Sequence, residues 1–349
     1  MEQTVAELYQ RWAEIEVKEL SPIFYDWATS IADDSEVLGL IDDLPTSKRQ
    51  PNLVFTAARF CGAPVGSYSE LRPWLLSRWL EVESVIRERA TQTNEAGRCA
   101  VLLPVLSRLR GPLALIEVGA SAGLCLYPDQ YSYRYETDQG VVPLDPTTGP
   151  SSVELSCRIE ADIVPNQLPT VVFRAGIDLN PVDLRDSDQV KWLETLIWPE
   201  HDDRRHRFRA AAELVAADPP MLVKGDLLDN ISALITEAPK NAGVVVFHSA
   251  VLVYLTPERR DQFVELMESM PDVTWISNEG EDVLPTVASR ISVPVNGRTV
   301  LALNGRPCAV VGPHGQSYER IGIAEGASKK LAEGLLRDGP RTDAMGYGN

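Results

Sequence analysis

The stretch Glu117-Val118-Gly119-Ala120-Ser121-Ala122-Gly123 follows directly on the apolar run Ala114-Leu115-Ile116, and its reading decides the fold. A short apolar run that ends in glycine signals a buried strand. Small residues after it let a ligand approach the backbone closely, and the loop is expected to lead into a helix or turn whose free N–H groups face that ligand. As the dinucleotide fingerprint G-x-G-x-x-G the stretch fails, because Ser121 holds the second glycine position and Leu124 the third. As the nucleophile elbow G-x-S-x-G it matches in full, with Ser121 as nucleophile.

Working outward, the residues before position 110 read as helices. Leu8, Trp12, Ile15 and Leu20 suggest one apolar stripe, and Leu75, Trp79, Val82 and Ile86 another. A further helix is expected to start near Thr93 or Asn94 as N-cap and to run through CAVLLPVLSRLR, tolerating or kinking at Pro104. After Gly111-Pro112 the pattern changes. TVVFRAGIDL (170–179), MLVKGD (221–226), GVVVFHSAVLVYL (243–255) and VTWIS (273–277) are strand-like, with amphipathic stretches between the later ones. That alternation predicts a mostly parallel sheet covered on both faces. RTVLALNGRPCAVVG (298–312) predicts an antiparallel hairpin around Asn304-Gly305. The reading is therefore an α/β protein with a helical region over 1–110, an α/β domain over 111–349, and a β-rich insertion at 127–169.

Composition bounds the partners. Fifty acidic residues against 33 Lys plus Arg leave −17, while 44% hydrophobic residues supply a core. A disordered chain is excluded. So negative a surface repels phosphate backbones and anionic membranes, so neither nucleic acid nor a membrane is expected as partner. The five cysteines (Cys61, Cys99, Cys125, Cys157, Cys308) form no C-x-x-C pair and imply neither a disulfide framework nor a zinc cluster. The first 20 residues lack a signal-peptide layout, and no apolar run reaches the ~18 residues of a membrane span; a reducing cytoplasm is expected.

The strand ends carry the chemistry. Asp178 closes the second strand, where a carboxylate can accept both hydroxyls of a ribose; the alternative is a helix cap through Asp178 or Asn180. Asp226 closes the third strand and could accept an adenine amino group, or serve as turn and cap. His248 and Ser249 close the fourth, where ligands sit in open α/β sheets. In upstream context the elbow reading is the poorer one: the preceding region is helical and holds no H-G-G-G-type oxyanion loop.

In order, EVGASAG, GIDLNP, KGD and VVVFHS resemble a class I S-adenosylmethionine-dependent methyltransferase core, whose acidic-x-Gly-x-x-x-Gly loop would be carried by Glu117, Gly119 and Gly123. More narrowly, TQTNEAGR, EVGASAGL, GIDLNPVDL, VVFHSAVLVYL and the late PHG resemble the uncharacterised family named domain of unknown function 2332. The resemblance implies a Rossmann-like methyltransferase sheet, S-adenosylmethionine as cofactor, and Glu117, Gly119, Ser121, Gly123, Asp178 and Asp226 as its binding residues. Two departures stand out: Ser121 replaces a usual glycine, and the interval from Gly123 to Asp178 exceeds the usual spacing of about 20.

In-line methyl transfer to a small-molecule acceptor needs alignment and exclusion of water, and no metal. His248 is the first candidate base, since an ordinary imidazole titrates near ~6.5; a buried structural histidine is the alternative. Ser249, Tyr254 and Glu279 are weaker candidates. Thr93, Asn94 and Glu95 could line the acceptor pocket or cap a helix. The rival activity is a serine hydrolase using Ser121 with His314 or His248, and the non-enzymatic rival is a binding or regulatory protein that keeps the fold. His201, Asp202, Asp203 and His206 are read as a solvated helix start and not a metal site, because the histidines are five apart. Arg204, Arg205, Arg207 and Arg209 form a basic patch, for an anionic substrate or an RNA segment, or for pairing with neighbouring acids. Trp12, Trp27, Trp74 and Trp79 are read as core.

Overall fold

The computed structural model describes residues 3–291 and 293–321. The chain divides into two compact units. One takes the residues up to Ala96, Ser121–Leu124 and Asn180–Pro220; the other takes Gly97–Ala120, Cys125–Leu179 and the residues from Met221 on.

The first unit is helical. It holds α1 (Val5–Trp12), α2 (Pro22–Ala32), α3 (Ser35–Asp42), α4 (Pro51–Phe60) and α5 (Tyr68–Glu88). Their starts are written locally: Thr4 and Glu7 form a reciprocal capping box, and Ser21 caps α2 ahead of Pro22. The stripe in α5 is buried as the periodicity predicts, with Leu75, Trp79, Val82 and Ile86 all interior. The N-terminal stripe is not. Val5, Tyr9, Ala13 and Val17 face the core, while Ile15 and Leu20 are 70% and 55% exposed. Val5, Tyr9 and Ala13 already fall every fourth residue along α1, and the π-helical turn over Ala13–Val17 carries that spacing on to Val17, leaving Ile15 and Leu20 off the buried face. Trp12, Phe24, Trp27 and Phe55 form one aromatic cluster at ring separations from 5.1 to 6.3 Å, and Trp198 joins it against Trp12 and Phe24. Trp74 instead lies at the rim beneath the Arg78 guanidinium.

The second unit carries α6 (Cys99–Leu106), buried along its whole length around Pro104. The helix expected from Thr93 or Asn94 begins only here, after a 3-10 turn at Ala96–Arg98. Asn94 is no helix cap because its amide is used elsewhere, as described below. Then come β1 (Pro112–Val118), β2 (Ser132–Thr137), β3 (Gly140–Leu144), β4 (Glu154–Arg158) and β5 (Thr170–Asp178). Between β5 and the next strand, α7 (Ser187–Leu196) and α8 (Asp202–Ala217) belong to the helical unit. The sheet unit resumes with β6 (Met221–Lys224), α9 (Leu227–Glu237), β7 (Gly243–Ser249), α10 (Pro257–Glu268), β8 (Val273–Glu279), α11 (Pro285–Ala288), β9 (Thr299–Leu303), β10 (Arg306–Val311) and β11 (Tyr318–Arg320).

Eight strands form one sheet in the order β11-β10-β9-β8-β7-β1-β5-β6. The five from β6 to β8 run parallel, and β9 to β11 alternate as an antiparallel edge. The hairpin sits where its turn residues put it: Asn304 and Gly305 both have positive φ, 48° and 70°. β2, β3 and β4 form a separate three-stranded sheet, the expected insertion. On one face of the large sheet, Ile116, Val118, Ile177, Val246 and Trp275 share a core with Ile231 of α9, Phe263 of α10 and Val287 of α11. Alternation along β1 sends Leu115 and Glu117 to the other face. Among the described residues no helix is long and apolar enough to cross a membrane.

Candidate functional site

β1 lies between β5 and β7, so the crossover direction reverses beside it, and in open α/β sheets ligands bind outside the carboxyl ends of the strands at such a point. The backbone leaves β1 through Gly119 at φ 71°. The N–H groups of Gly119 and Ala120 both donate to the Ile177 carbonyl, at 2.8 and 3.1 Å, which bends the turn over the end of β5. No larger residue fits. A Cβ on Gly119 would stand 2.3 Å from Val251 Cγ2, and one on Gly176 2.4 Å from the Ala120 methyl. The chain then enters a 3-10 turn at Leu124–Leu126 and not an α-helix, so the loop after β1 does not itself open a helix.

Glu117 is the unusual group here. It is 6% exposed, and its Oε2 is buried with no hydrogen-bond partner. Burial pushes its carboxyl well above the usual carboxylate range; Cys125 and the charge of Asp178 push the same way, and Arg98 opposes them. An acceptor left without a donor in the interior costs about 1–3 kcal/mol, so such atoms call for an explanation. Asp178 ends the adjacent strand, half-buried and near enough for its charge to be felt at Glu117. The two acids that sequence places at this edge are therefore neighbours.

Asp226 does different work. Its carboxylate caps α9 through the Leu228 N–H at 2.9 Å and pairs with Arg259 Nη2 at 2.6 Å. His248 is fully buried, against the edge of Phe263 and beside Trp275. Its Nδ1 lies 2.6 Å from Glu279 Oε1, and its Nε2 accepts from Trp275 Nε1 at 3.0 Å. An indole N–H can only donate, so the proton of the imidazole sits on Nδ1 and no ring nitrogen is left for a substrate. Ser249 is 8% exposed; its Oγ accepts from Asn278 Nδ2 at 2.8 Å, and its carbonyl accepts from Arg98. Tyr254, by contrast, is 83% exposed.

In the helical unit, Ser121 adopts φ 48°, uncommon for a residue with a Cβ. Asn94 holds it: Nδ2 donates to Ser121 Oγ at 2.8 Å, and Oδ1 accepts from the Ala122 N–H at 3.0 Å. Gly123 shares the turn, at φ 72°. The Ser121 carbonyl accepts from the Val182 N–H. Next to Asn94, buried Glu95 receives Arg204 Nε and Arg207 Nε at 2.8 and 3.1 Å. Arg205 pairs with Asp202 and Arg209 with Glu194, so each arginine of the basic patch has an acidic partner. Among the described residues no group of three or more His, Cys, Asp or Glu side chains could hold a metal ion.

Three features escaped sequence reasoning. Arg98 is 8% exposed and ties the Ser249 carbonyl to the Pro313 carbonyl; an arginine opening the apolar run CAVLLPVL was its only signal. Gly315 comes so close to Gly97 that a Cβ would meet the Gly97 carbonyl at 1.9 Å, which joins the PHG and AGR motifs. An open cleft of about 690 Å³ lies between β11 and the three-stranded sheet, lined by Arg158, Glu160, Asp162, Arg298 and Glu319. Its walls are ion-paired, Arg298 with Glu319 and Arg320 with Glu160 and Asp162.

Residues 6–320 match the family described as an uncharacterized protein conserved in bacteria (DUF2332). The chain belongs to that family. The DUF2332 match takes in the Asn94 segment, the strand ends and the PHG turn together. Neither the curated proteins nor the solved structures gave a match.

Proposed function

We propose that this chain binds S-adenosylmethionine at the carboxyl edge of β1 and β5 and transfers its methyl group to a small-molecule acceptor. The observation that carries the reading is the buried Glu117 Oε2 without a donor, next to Asp178 at the point where the strand order reverses. By order of appearance the five parallel strands run 3-2-1-4-5, the doubly wound order of dinucleotide-binding sheets, which supports a Rossmann-like class of sheet. An adenosyl ligand brings ribose hydroxyls and amino N–H groups, donors that the unpartnered Glu117 Oε2 can accept.

In this reading Asp178 accepts the ribose hydroxyls through charge-assisted hydrogen bonds. Glu117 Oε2 accepts a further donor. Gly119 keeps the backbone low at the strand end. The bound sulfonium supplies an activated methyl group, and the protein aligns the acceptor and excludes water. Asp226 does not enter the site, since Arg259 and the α9 N-terminus already engage it. No step is assigned to His248 as base, because both its nitrogens are engaged.

That sealed histidine favours one second reading, a DUF2332 protein that binds the cofactor without turnover. Binding of S-adenosylhomocysteine with no methyl transfer to any cell-extract component would select it. The hydrolase reading finds less support: Ser121 Oγ accepts from the Asn94 amide, which cannot act as a base. Fluorophosphonate labelling of Ser121 would revive it; no labelling is expected.

A further inference from the structure

One carboxylate oxygen holds together the far side of the strand-end edge. Glu279 Oε1, at the end of β8, accepts from His248 Nδ1 at 2.6 Å, from the Val251 N–H at 3.0 Å and from the Leu252 N–H at 3.2 Å. Glu279 is 2% exposed and His248 is fully buried, so each of these bonds acts in a medium of low polarity, where charge-assisted bonds are strong. Behind the imidazole, Trp275 Nε1 donates to Nε2 and fixes the tautomer that donates to Glu279. The register of β7 and β8 makes the assembly possible: His248 lies opposite Ser277, so Glu279 reaches past it to the turn.

The turn so held is strained and tightly bounded. Ala250 sits at φ 55°, a left-handed conformation unfavourable for a residue with a Cβ. Its N–H donates to the Asn278 carbonyl, and Arg260 Nε bonds the Leu252 and Leu255 carbonyls. Val251 then projects onto Gly119, where there is no space even for a methyl group. Through Val251 the position of the β7 turn is passed to the turn after β1.

We infer that Glu279, with His248 and Trp275 behind it, is a positioning assembly that sets Val251 and thereby the turn at Gly119. His248 is thus a positioning residue acting through Glu279 and not a catalytic one. Only the ligand-binding arm of the test rests on the proposed adenosyl site. The other arm needs no ligand.

The test uses the full chain with Glu279→Gln, Val251→Ala and the double replacement. In ¹H–¹⁵N spectra without ligand, Glu279→Gln is expected to move the Gly119 amide as well as Val251 and Leu252. A Gly119 resonance that stays in place while Val251 and Leu252 shift overturns the inference. Should Glu279→Gln not fold, Val251→Ala leaves the buried network intact and must itself move Gly119, or the inference fails. By calorimetry with S-adenosylhomocysteine, each single replacement is expected to weaken binding about tenfold and the double replacement no further, since residues acting through one contact do not add. Losses that multiply to about a hundredfold show two independent effects and overturn it. If the unmodified protein binds no S-adenosylhomocysteine, the proposed function fails while the Gly119 resonance still decides the inference.

Discussion

Replacing Glu117 by glutamine is expected to change how stability depends on pH, with a sign that burial dictates. The folded-state carboxyl is raised well above its usual range, so in the window above about pH 4.3, the ordinary glutamate value, the native chain holds a proton that the unfolded chain has released. Stability from this group is fully present below that pH and declines as pH rises, by up to about 1.4 kcal/mol per unit, until the native group ionises. Glutamine has no such slope. The free-energy difference between Glu117→Gln and the parent should therefore grow in favour of the variant by about 1.4 kcal/mol per pH unit above pH 4.5. Any fixed cost of placing an amide there cancels in the slope. With a urea m-value near 3 kcal/mol/M, that is a relative midpoint shift on the order of 0.5 M per unit. The chain has seven tryptophans, and only Trp275 lies in the sheet unit, so 5-fluorotryptophan ¹⁹F spectra during urea titration read that unit alone. Parallel curves for the two proteins as pH rises from 4.5 would refute the assignment of a buried Glu117 whose carboxyl is raised above its usual range.

Other replacements probe the remaining contacts. Gly119→Ala should cost about 2–4 kcal/mol, from a left-handed alanine and overpacking against Val251; adding Val251→Ala should recover the packing part, as urea midpoints would report. Asn94→Ala removes both bonds to the turn at Ser121 and Ala122, with an expected loss of about 1–3 kcal/mol and faster hydrogen exchange at the Ala122 amide. Asp34 caps α3, and its bond with the Arg72 guanidinium, helped by Tyr68, holds its carboxyl at about 2. Its contribution is present above the unfolded value of about 3.9 and is lost as pH falls towards 2; because Arg72 is partly solvent-screened, it should amount to about 1 kcal/mol. The stability gap between Asp34→Asn and the parent, followed by acid titration of helical circular dichroism, should close over that window.

Strands buried on both faces were legible because continuous apolar runs leave little choice: β1, β7 and β8 appear where the runs lie, and so does β5, which is buried only towards its carboxyl end. β11 is three residues long, too short to leave a pattern. In the N-terminal helix, periodicity misled because Val5, Tyr9 and Ala13 define a helical stripe as well as Leu8 and Trp12 do, and the π turn that extends it to Val17 is invisible in composition. Asn94 has the chemistry of a cap, and whether its amide serves a helix or a distant loop is settled only by tertiary contact. The same holds at the strand ends. Sequence brings Glu117 and Asp178 to one edge through parallel register, yet it cannot tell that Asp226 meets Arg259 or that both nitrogens of His248 are engaged. Those pairings join residues 27 to 33 positions apart, beyond the reach of local spacing rules.

The most direct measurement is isothermal calorimetry with S-adenosylmethionine and S-adenosylhomocysteine on the parent protein and on Asp178→Ala. Binding by the parent, weakened at least tenfold by the replacement, is the expected result. An absence of binding by the parent would contradict the adenosyl site altogether, and equal affinity in both proteins would remove Asp178 from it.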